Sequence, residues 1–108
     1  MSERDENLPA CSHLQFAVLD VLGSNAMSGK ELRLALRKER GILKSGPGFY
    51  QMMSRLEDSN WVSGEYRQEV IEGQIIKERF YTITGHGARI RFDTAKFYAA
   101  TAGNWGRA

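Results

Sequence analysis

The segment Ser45-Gly46-Pro47-Gly48 runs directly into Phe49-Tyr50-Gln51-Met52-Met53-Ser54-Arg55-Leu56-Glu57, and an extended pair ending in Phe80-Tyr81-Thr82-Ile83-Thr84-Gly85 follows. No other feature constrains the fold as much. Proline is tolerated in a first helical turn, and glycine lets backbone come close to whatever faces it, so a helix should start here. Phe49, Met52, Met53 and Leu56 recur at three- and four-residue spacing and mark its core side. Asn60 can take the left-handed conformation that ends a helix. Trp61 to Arg67 and Gln74 to Ile83 are rich in aromatic and β-branched residues and read as strands, with polar Gln68 to Gly73 as their connection and Glu72-Gly73 near its tip. A polar helix feeding a two-stranded ribbon is the layout of a recognition helix and wing that lie on duplex DNA.

The rest of the chain supplies the remaining parts. Residues 1–11 read as a flexible, polar N-terminal arm. From Ser12, Leu14, Val18 and Leu22 fall at intervals of four, with Phe16, Ala17 and Leu19 widening the stripe, so a mostly buried helix is expected, stopped by Gly23. Ser28-Gly29-Lys30-Glu31 matches a capping box and should start a second helix, apolar at Leu32, Ala35 and Leu36 and broken by Gly41. Thr84 is a good N-cap for a last helix running to about Ala102, where Gly103 ends it. The expected class is α+β, mainly helical: a winged helix-turn-helix over residues 12–83, a C-terminal dimerisation helix over 84–102 and a tail over 103–108.

That last helix carries two apolar stripes, one through Ala88, Phe92, Ala95 and Ala99, the other through Ile90 and Phe97. One face suffices for its own domain, and the second argues for a two-fold partner. Ile90, Phe92, Phe97 and, in the tail, Trp105 are the candidate dimer contacts. The alternative is that the first helix and the arm cover both stripes.

With 108 residues the chain is long enough for one modest core and too short for an added catalytic domain. Its net charge of +2 is unevenly spread: residues 28 to 44 hold Lys30, Arg33, Arg37, Lys38, Arg40 and Lys44 against Glu31 and Glu39. The single cysteine, Cys11, rules out an internal disulfide and a multi-cysteine zinc site, and is expected to be inert in a reducing compartment. There is no apolar run of membrane-spanning length and no signal-peptide pattern, so a cytoplasmic protein is expected. His13 and His86 have no ligand at metal spacing, and no phosphate-binding loop is present. We therefore expect no enzyme, no metal and no cofactor.

Taken together, Gly46-Pro47-Gly48-Phe49-Tyr50, Ser54-Arg55-Leu56-Glu57, Trp61-Val62 and Glu78-Arg79-Phe80-Tyr81-Thr82-Ile83-Thr84-Gly85 with Gly87 resemble the PadR-like transcriptional regulators, over roughly residues 14 to 100. The resemblance implies a dimeric, repressor-type DNA-binding protein of the compact kind with a single C-terminal helix. Its third helix would enter the major groove, its wing would touch backbone or minor groove, and its last helix would make the homodimer. Two positions depart from the usual pattern: Asn60 stands where a glycine is common, and Gly29-Lys30 replaces a Gly-Tyr pair.

DNA-binding roles follow by position. Lys44, Ser45 and the amides near Gly48 should hold a phosphate at a helix start. Tyr50 and Gln51 lie in the first turns, where side chains reach the groove, with Ser54 and Arg55 one turn later. Tyr50 is equally readable as a core aromatic with its hydroxyl at the surface, and Arg55 as a surface partner of Glu57 or Asp58. In the wing, Arg67, Lys77 and Arg79 are the cations; Lys77 and Arg79 share a face, while Glu69, Glu72 and Glu78 argue against contact with a duplex. The expected partners are double-stranded DNA bearing an inverted-repeat operator and a second copy of the chain. The alternative class is a winged-helix protein-interaction or small-molecule-sensing module, with an effector lodged near Phe92, Phe97 and Trp105.

Overall fold

A computed structural model describes residues 11–106, with side chains to residue 100. In chain order the elements are α1 (His13–Leu22), β1 (Met27–Ser28), α2 (Gly29–Arg40), α3 (Gly46–Asp58), β2 (Val62–Ile71), β3 (Gln74–Ile83) and α4 (Gly85–Gly106). The strands form an antiparallel sheet in the order β1-β3-β2, giving a mainly helical α+β winged helix.

Local sequence sets most of the boundaries. The Ser28 hydroxyl accepts from the Glu31 N–H at 3.1 Å while the Glu31 carboxylate accepts from the Ser28 N–H at 2.9 Å, which is the expected capping box. Ser12 and Gln15 build a second one at the start of α1. Gly41 ends α2 at φ 66°, and Asn60, at φ 62°, turns the chain out of α3 as anticipated.

Three boundaries differ from expectation. The ribbon is longer, because β2 continues to Ile71 and the Gln68 to Gly73 connection shrinks to a two-residue turn. Glu72 and Gly73 both take positive φ, 51° and 80°, the geometry whose twist matches that of two paired strands. The two-residue β1, which pairs Met27 with Tyr81 and Ser28 with Phe80, was too short to leave a pattern. Helix α4 runs through Gly103 to Gly106 rather than stopping near Ala102.

The core gathers Ala17, Val18, Leu19 and Leu22 of α1, Leu32 and Leu36 of α2, Phe49, Met53 and Leu56 of α3, and Val62 and Tyr81 of the sheet. Burying each large side chain stabilises the fold by about 1.5–3 kcal/mol, so this cluster is the main force holding α3 in place. Helix α4 docks through polar chemistry as well. The Thr84 hydroxyl donates to the Asn60 carbonyl at 2.6 Å and accepts from the Gly87 N–H at 2.9 Å, capping the helix as expected. Gly87 packs so tightly on the preceding turn that a Cβ there would lie 2.0 Å from the Trp61 carbonyl oxygen. Asp20 accepts from Arg91 of α4 at 3.0 Å and from Arg40 of α2, tying three helices together.

The Cys11 sulfur lies 3.4 Å from the Thr94 hydroxyl and is buried, and burial raises its thiol pKa, which favours the inert thiol. Cys11 therefore belongs to the packed domain rather than to the arm; residues 1–10, the rest of that expected arm, lie outside the described residues. Tyr98 meets Phe16 at 5.5 Å between ring centroids. The face of α4 turned toward its own domain thus holds Gly87, Arg91, Thr94 and Tyr98. Ile90, expected at a dimer surface, is partly buried and packs against the protein's own core. Phe92 points away from the domain at 58% exposure, with the Lys96 ammonium 5.5 Å from its ring centroid. Phe97 is half-buried, its ring 5.5 Å from that of Tyr98. The side chain of Trp105 lies outside the described residues.

Candidate nucleic-acid interface

With Phe49, Met53 and Leu56 turned inward, helix α3 carries Gln51, Ser54 and Arg55 exposed on its outer side. Tyr50 is partly packed and partly exposed. Its ring sits edge-on to Phe49, with centroids 5.0 Å apart at 85°, yet the residue is 43% exposed. The ring also rests on the start of α2, where a Cβ on Gly29 would come within 2.5 Å of the Tyr50 hydroxyl oxygen. Gly29 is thus the seat for Tyr50, and the exposed Lys30 beside it adds charge at the same place.

At the start of α3 the Ser45 hydroxyl accepts from the Gly48 N–H at 3.1 Å. Pro47 has no N–H to offer, and the Gly48 N–H is engaged by Ser45. Lys44 is exposed, and its carbonyl accepts from the Arg33 guanidinium at 3.3 Å, which ties the α2 cations to the start of α3. Arg40, counted in the basic cluster, is engaged by Asp20.

The ribbon register sorts the wing charges onto two faces. Directly opposed residues share a face, so Tyr66 with Arg79, Gln68 with Lys77 and Val70 with Ile75 line one side, which is free of strand carboxylates. Glu65 with Phe80, Arg67 with Glu78 and Glu69 with Ile76 line the other, which takes all three strand carboxylates. Of the three carboxylates expected to repel a duplex, Glu69 and Glu78 fall on the face opposite Lys77, while Glu72 stands exposed in the turn at the tip of the wing. Arg67 also lies on that acidic face, donating to Glu65 at 3.2 Å with its guanidinium 4.3 Å from the Phe80 ring centroid. The face without strand carboxylates is the one that meets α3, since Tyr66, Arg79 and Tyr81 form a cleft together with Tyr50, Ser54, Glu57 and Asp58 of that helix.

Arg79 sits at the floor of that cleft. Its guanidinium donates to both Glu57 carboxylate oxygens, at 2.5 and 3.1 Å, and to the Gly64 carbonyl at 3.3 Å. The bond to Glu57 raises a pKa that is already high, so Arg79 is charged at any accessible pH. Glu57 was weighed as a partner of Arg55; its partner is Arg79, 22 residues away, a pairing no local pattern could reveal. Lys77 is the freer wing cation, exposed, its ammonium 4.7 Å from the Tyr66 ring centroid. Beneath them Tyr81 is buried, which, with the nearby Glu57 charge, pushes its phenol up to about 12.

A separate cavity of about 260 Å³ opens between α2 and α3, apolar at Leu34, Leu43 and Met52 and rimmed by Arg33, Arg37 and Lys44. Among the described residues no group of three or more His, Cys, Asp or Glu could hold a metal ion, and no helix is long and apolar enough to cross a membrane.

Solved structures share this arrangement. A PadR family transcription regulator from Clostridium difficile R20291 superposes with a TM-score of 0.76 at 18% identity, over 89% of this chain and 97% of that one. Bacillus subtilis PadR, solved in complex with operator DNA, superposes with a TM-score of 0.62 at 23% identity, over 75% of this chain and 45% of that one. The chain has the PadR-like winged-helix fold. Within that fold the circadian clock associated protein Pex from Anabaena is also similar, with a TM-score of 0.57 at 21% identity over 96% and 98% of the two chains. The PadR-like match spans less than half of the Bacillus protein. No protein-family profile matches the sequence, and no curated protein does.

Proposed function

We propose that the chain is a sequence-specific, double-stranded DNA-binding transcription regulator, a repressor acting as a homodimer on an inverted-repeat operator. The observation that carries this reading is the exposed Gln51, Ser54 and Arg55 side of α3 standing next to the ribbon face that bears Lys77 and no strand carboxylate; the cleft between them also holds Asp58 and Glu57, the latter paired with Arg79. Such a surface can follow a phosphate track while α3 offers Gln51 to a base edge, and the similarity in fold to a PadR solved on operator DNA supports the same reading. Lys30 and Lys44 extend the positive surface toward α2. Arg79 shapes it from beneath, holding the ribbon against α3 through Glu57.

Dimerisation through α4 is supported by the outward Phe92, since an exposed aromatic on a long terminal helix gains from burial against its two-fold mate. The cavity between α2 and α3 favours a second role, binding of a small molecule, in which a ligand there would compete with DNA for Arg33 and Lys44.

The test is a gel-shift titration against duplexes recovered from a randomised pool, repeated over a range of salt. Affinity should fall steeply with salt and the recovered sites should be inverted repeats. Equal binding at low and high salt, or recovery of no duplex at all, would remove the DNA reading.

A further inference from the structure

The cavity between α2 and α3 sets a single sign of charge around an aliphatic interior. Lys30, Arg33 and Arg37 follow one another at three- and four-residue spacing and so share one ridge of α2, and Lys44 joins them on the rim. No carboxylate lines the cavity, and among the described residues none of these four cations is in an ion pair. Arg33 spends one N–H on the Lys44 carbonyl, while Arg37 has no side-chain partner among the described residues. Inside, Leu34, Leu43 and Met52 offer unbranched and aliphatic surface, with Leu34 at 50% and Leu43 at 73% exposure. Phe49, the aromatic in the lining, is fully buried and presents no ring face on which a ligand could stack.

We propose that this cavity binds an aliphatic monocarboxylate, its acyl chain against Leu34, Leu43 and Met52 and its carboxylate on the Arg37 guanidinium beside Arg33, and that the bound ligand releases DNA. The proposal deepens the ligand-binding role given above, and its regulatory half rests on the DNA-binding reading. Charge names the head group: a planar guanidinium fork takes a carboxylate in two parallel hydrogen bonds, and a ring of cations repels an ammonium. The lining names the tail, because an acyl chain buries area on aliphatic walls without needing a ring face. Volume sets its length. An apolar cavity of about 150 Å³ takes up benzene with its six carbon atoms. By that proportion a cavity of about 260 Å³ takes on the order of ten non-hydrogen atoms, the size of octanoate. With the carboxylate in place, the cations that lead from α2 to the start of α3 already hold an anion, and a DNA phosphate competes with it for them.

The experiment is isothermal titration calorimetry on the DNA-free protein at constant ionic strength, comparing octanoate with octanol, octylamine and cinnamate, and then the carboxylates from butyrate to dodecanoate. Octanoate should bind once per chain and at least about tenfold more tightly than the other three, as a hydrogen-bonded charge warrants. Affinity should rise about threefold to fourfold for each added methylene and level off near about eight carbons, where the chain fills the cavity. Arg37→Gln, a change at an exposed position, should keep the melting temperature and lose at least about tenfold in affinity for octanoate with no change for octanol. In a gel shift with the recovered duplexes, octanoate should release DNA over the concentrations at which it binds, and butyrate at the same ionic strength should release none. Octanol or cinnamate binding as tightly as octanoate overturns the ligand class. Affinity that climbs without levelling off, or that survives Arg37→Gln, overturns the cavity as its seat, and octanoate that binds without releasing DNA overturns the regulatory half. No binding of octanoate by a protein that still shifts its duplex overturns the proposal and leaves the DNA reading standing. Octanoate binding by a protein that shifts no duplex overturns the DNA reading, and the release that rests on it, and keeps the site.

Discussion

Arg79, expected from the sequence to contact DNA, has a structural part as well: it is a strut between the ribbon and α3. Two oxygens of Glu57, the Gly64 carbonyl and the Tyr66 ring all engage it, and both charged partners keep only about a quarter of their side-chain surface in water. A bidentate pair of this kind is stronger than an exposed salt bridge, and breaking it strands the other charge. Arg79→Ala and Glu57→Ala should therefore each lower stability by about 1–2 kcal/mol, and the double variant should cost less than their sum. Chemical denaturation of the three variants checks this; strictly additive losses would mean the pair contributes nothing. Lys77→Ala, lacking such partners, should leave stability unchanged and reduce the salt slope of DNA binding by about one. Gly87→Ala gives the sharpest test of backbone packing, because the new Cβ would lie 2.0 Å from a carbonyl oxygen that cannot swing aside. The variant should lose at least about 2 kcal/mol, or fail to fold. A melting temperature equal to that of the wild type would show that the α4 start can shift.

Elements were legible wherever their signals are local. Ser28 with Glu31, Ser45 beside Pro47, Gly41 and Asn60 each mark a helix end through interactions or backbone preferences spanning a few residues, and all four act as their residue types dictate. The ribbon was harder to read because its outer half buries neither face, so the usual alternation of apolar and polar residues is absent. Its signal was present in another form: the apolar runs Val70-Ile71 and Ile75-Ile76 flank Glu72-Gly73, and the pairs Ile71 with Gln74 and Val70 with Ile75 close on that turn. Partition of the wing charges could be deduced only once that turn fixed the register, since a one-residue slip exchanges the two faces. The pairs Asp20 with Arg91, Glu57 with Arg79 and Cys11 with Thr94 join residues 71, 22 and 83 positions apart, and nothing in a single sequence links them. Tyr81 expresses the packing of the sheet against the helices as a titration. Its folded pKa is raised from 10.0 to about 12, so the unfolded chain gives up this proton first. The stabilisation is full below pH 10 and is lost as pH rises toward 12, on the order of 2–3 kcal/mol. Phenolate absorbance during alkaline titration should show one late tyrosine ionising together with loss of fold; four tyrosines titrating together near pH 10 with the fold intact would contradict this.

At the scale of the whole molecule, the charge layout, the long ribbon and the long terminal helix fit a single arrangement. The monomer extends 59 Å along its longest axis against 28 and 23 Å across, and so reaches outward with little core behind it. Small domains with so much exposed apolar surface gain from association, and the outward side of α4 is the surface proposed for it. Asp20, Thr94 and Tyr98 commit the inner side of α4 to its own subunit, which leaves Phe92 on the outer side together with the small Ala95 and Ala99, residues that let two helices approach closely. Phe92→Glu is therefore the test substitution of choice. Phe97→Glu is less clean, since the Phe97 ring touches Tyr98 and through it α1. In sedimentation equilibrium at micromolar concentration the wild type should behave as a dimer and Phe92→Glu as a folded monomer. DNA binding follows from the same symmetry: a dimer joins two half-site affinities through one linkage, whereas a monomer has one half-site alone. The Phe92→Glu monomer should thus lose at least about a hundredfold in affinity for an inverted repeat while binding an isolated half-site as the wild type does. A variant that stays dimeric would move the interface away from Phe92, and a monomer with undiminished affinity for the inverted repeat would show that the two half-sites are read independently.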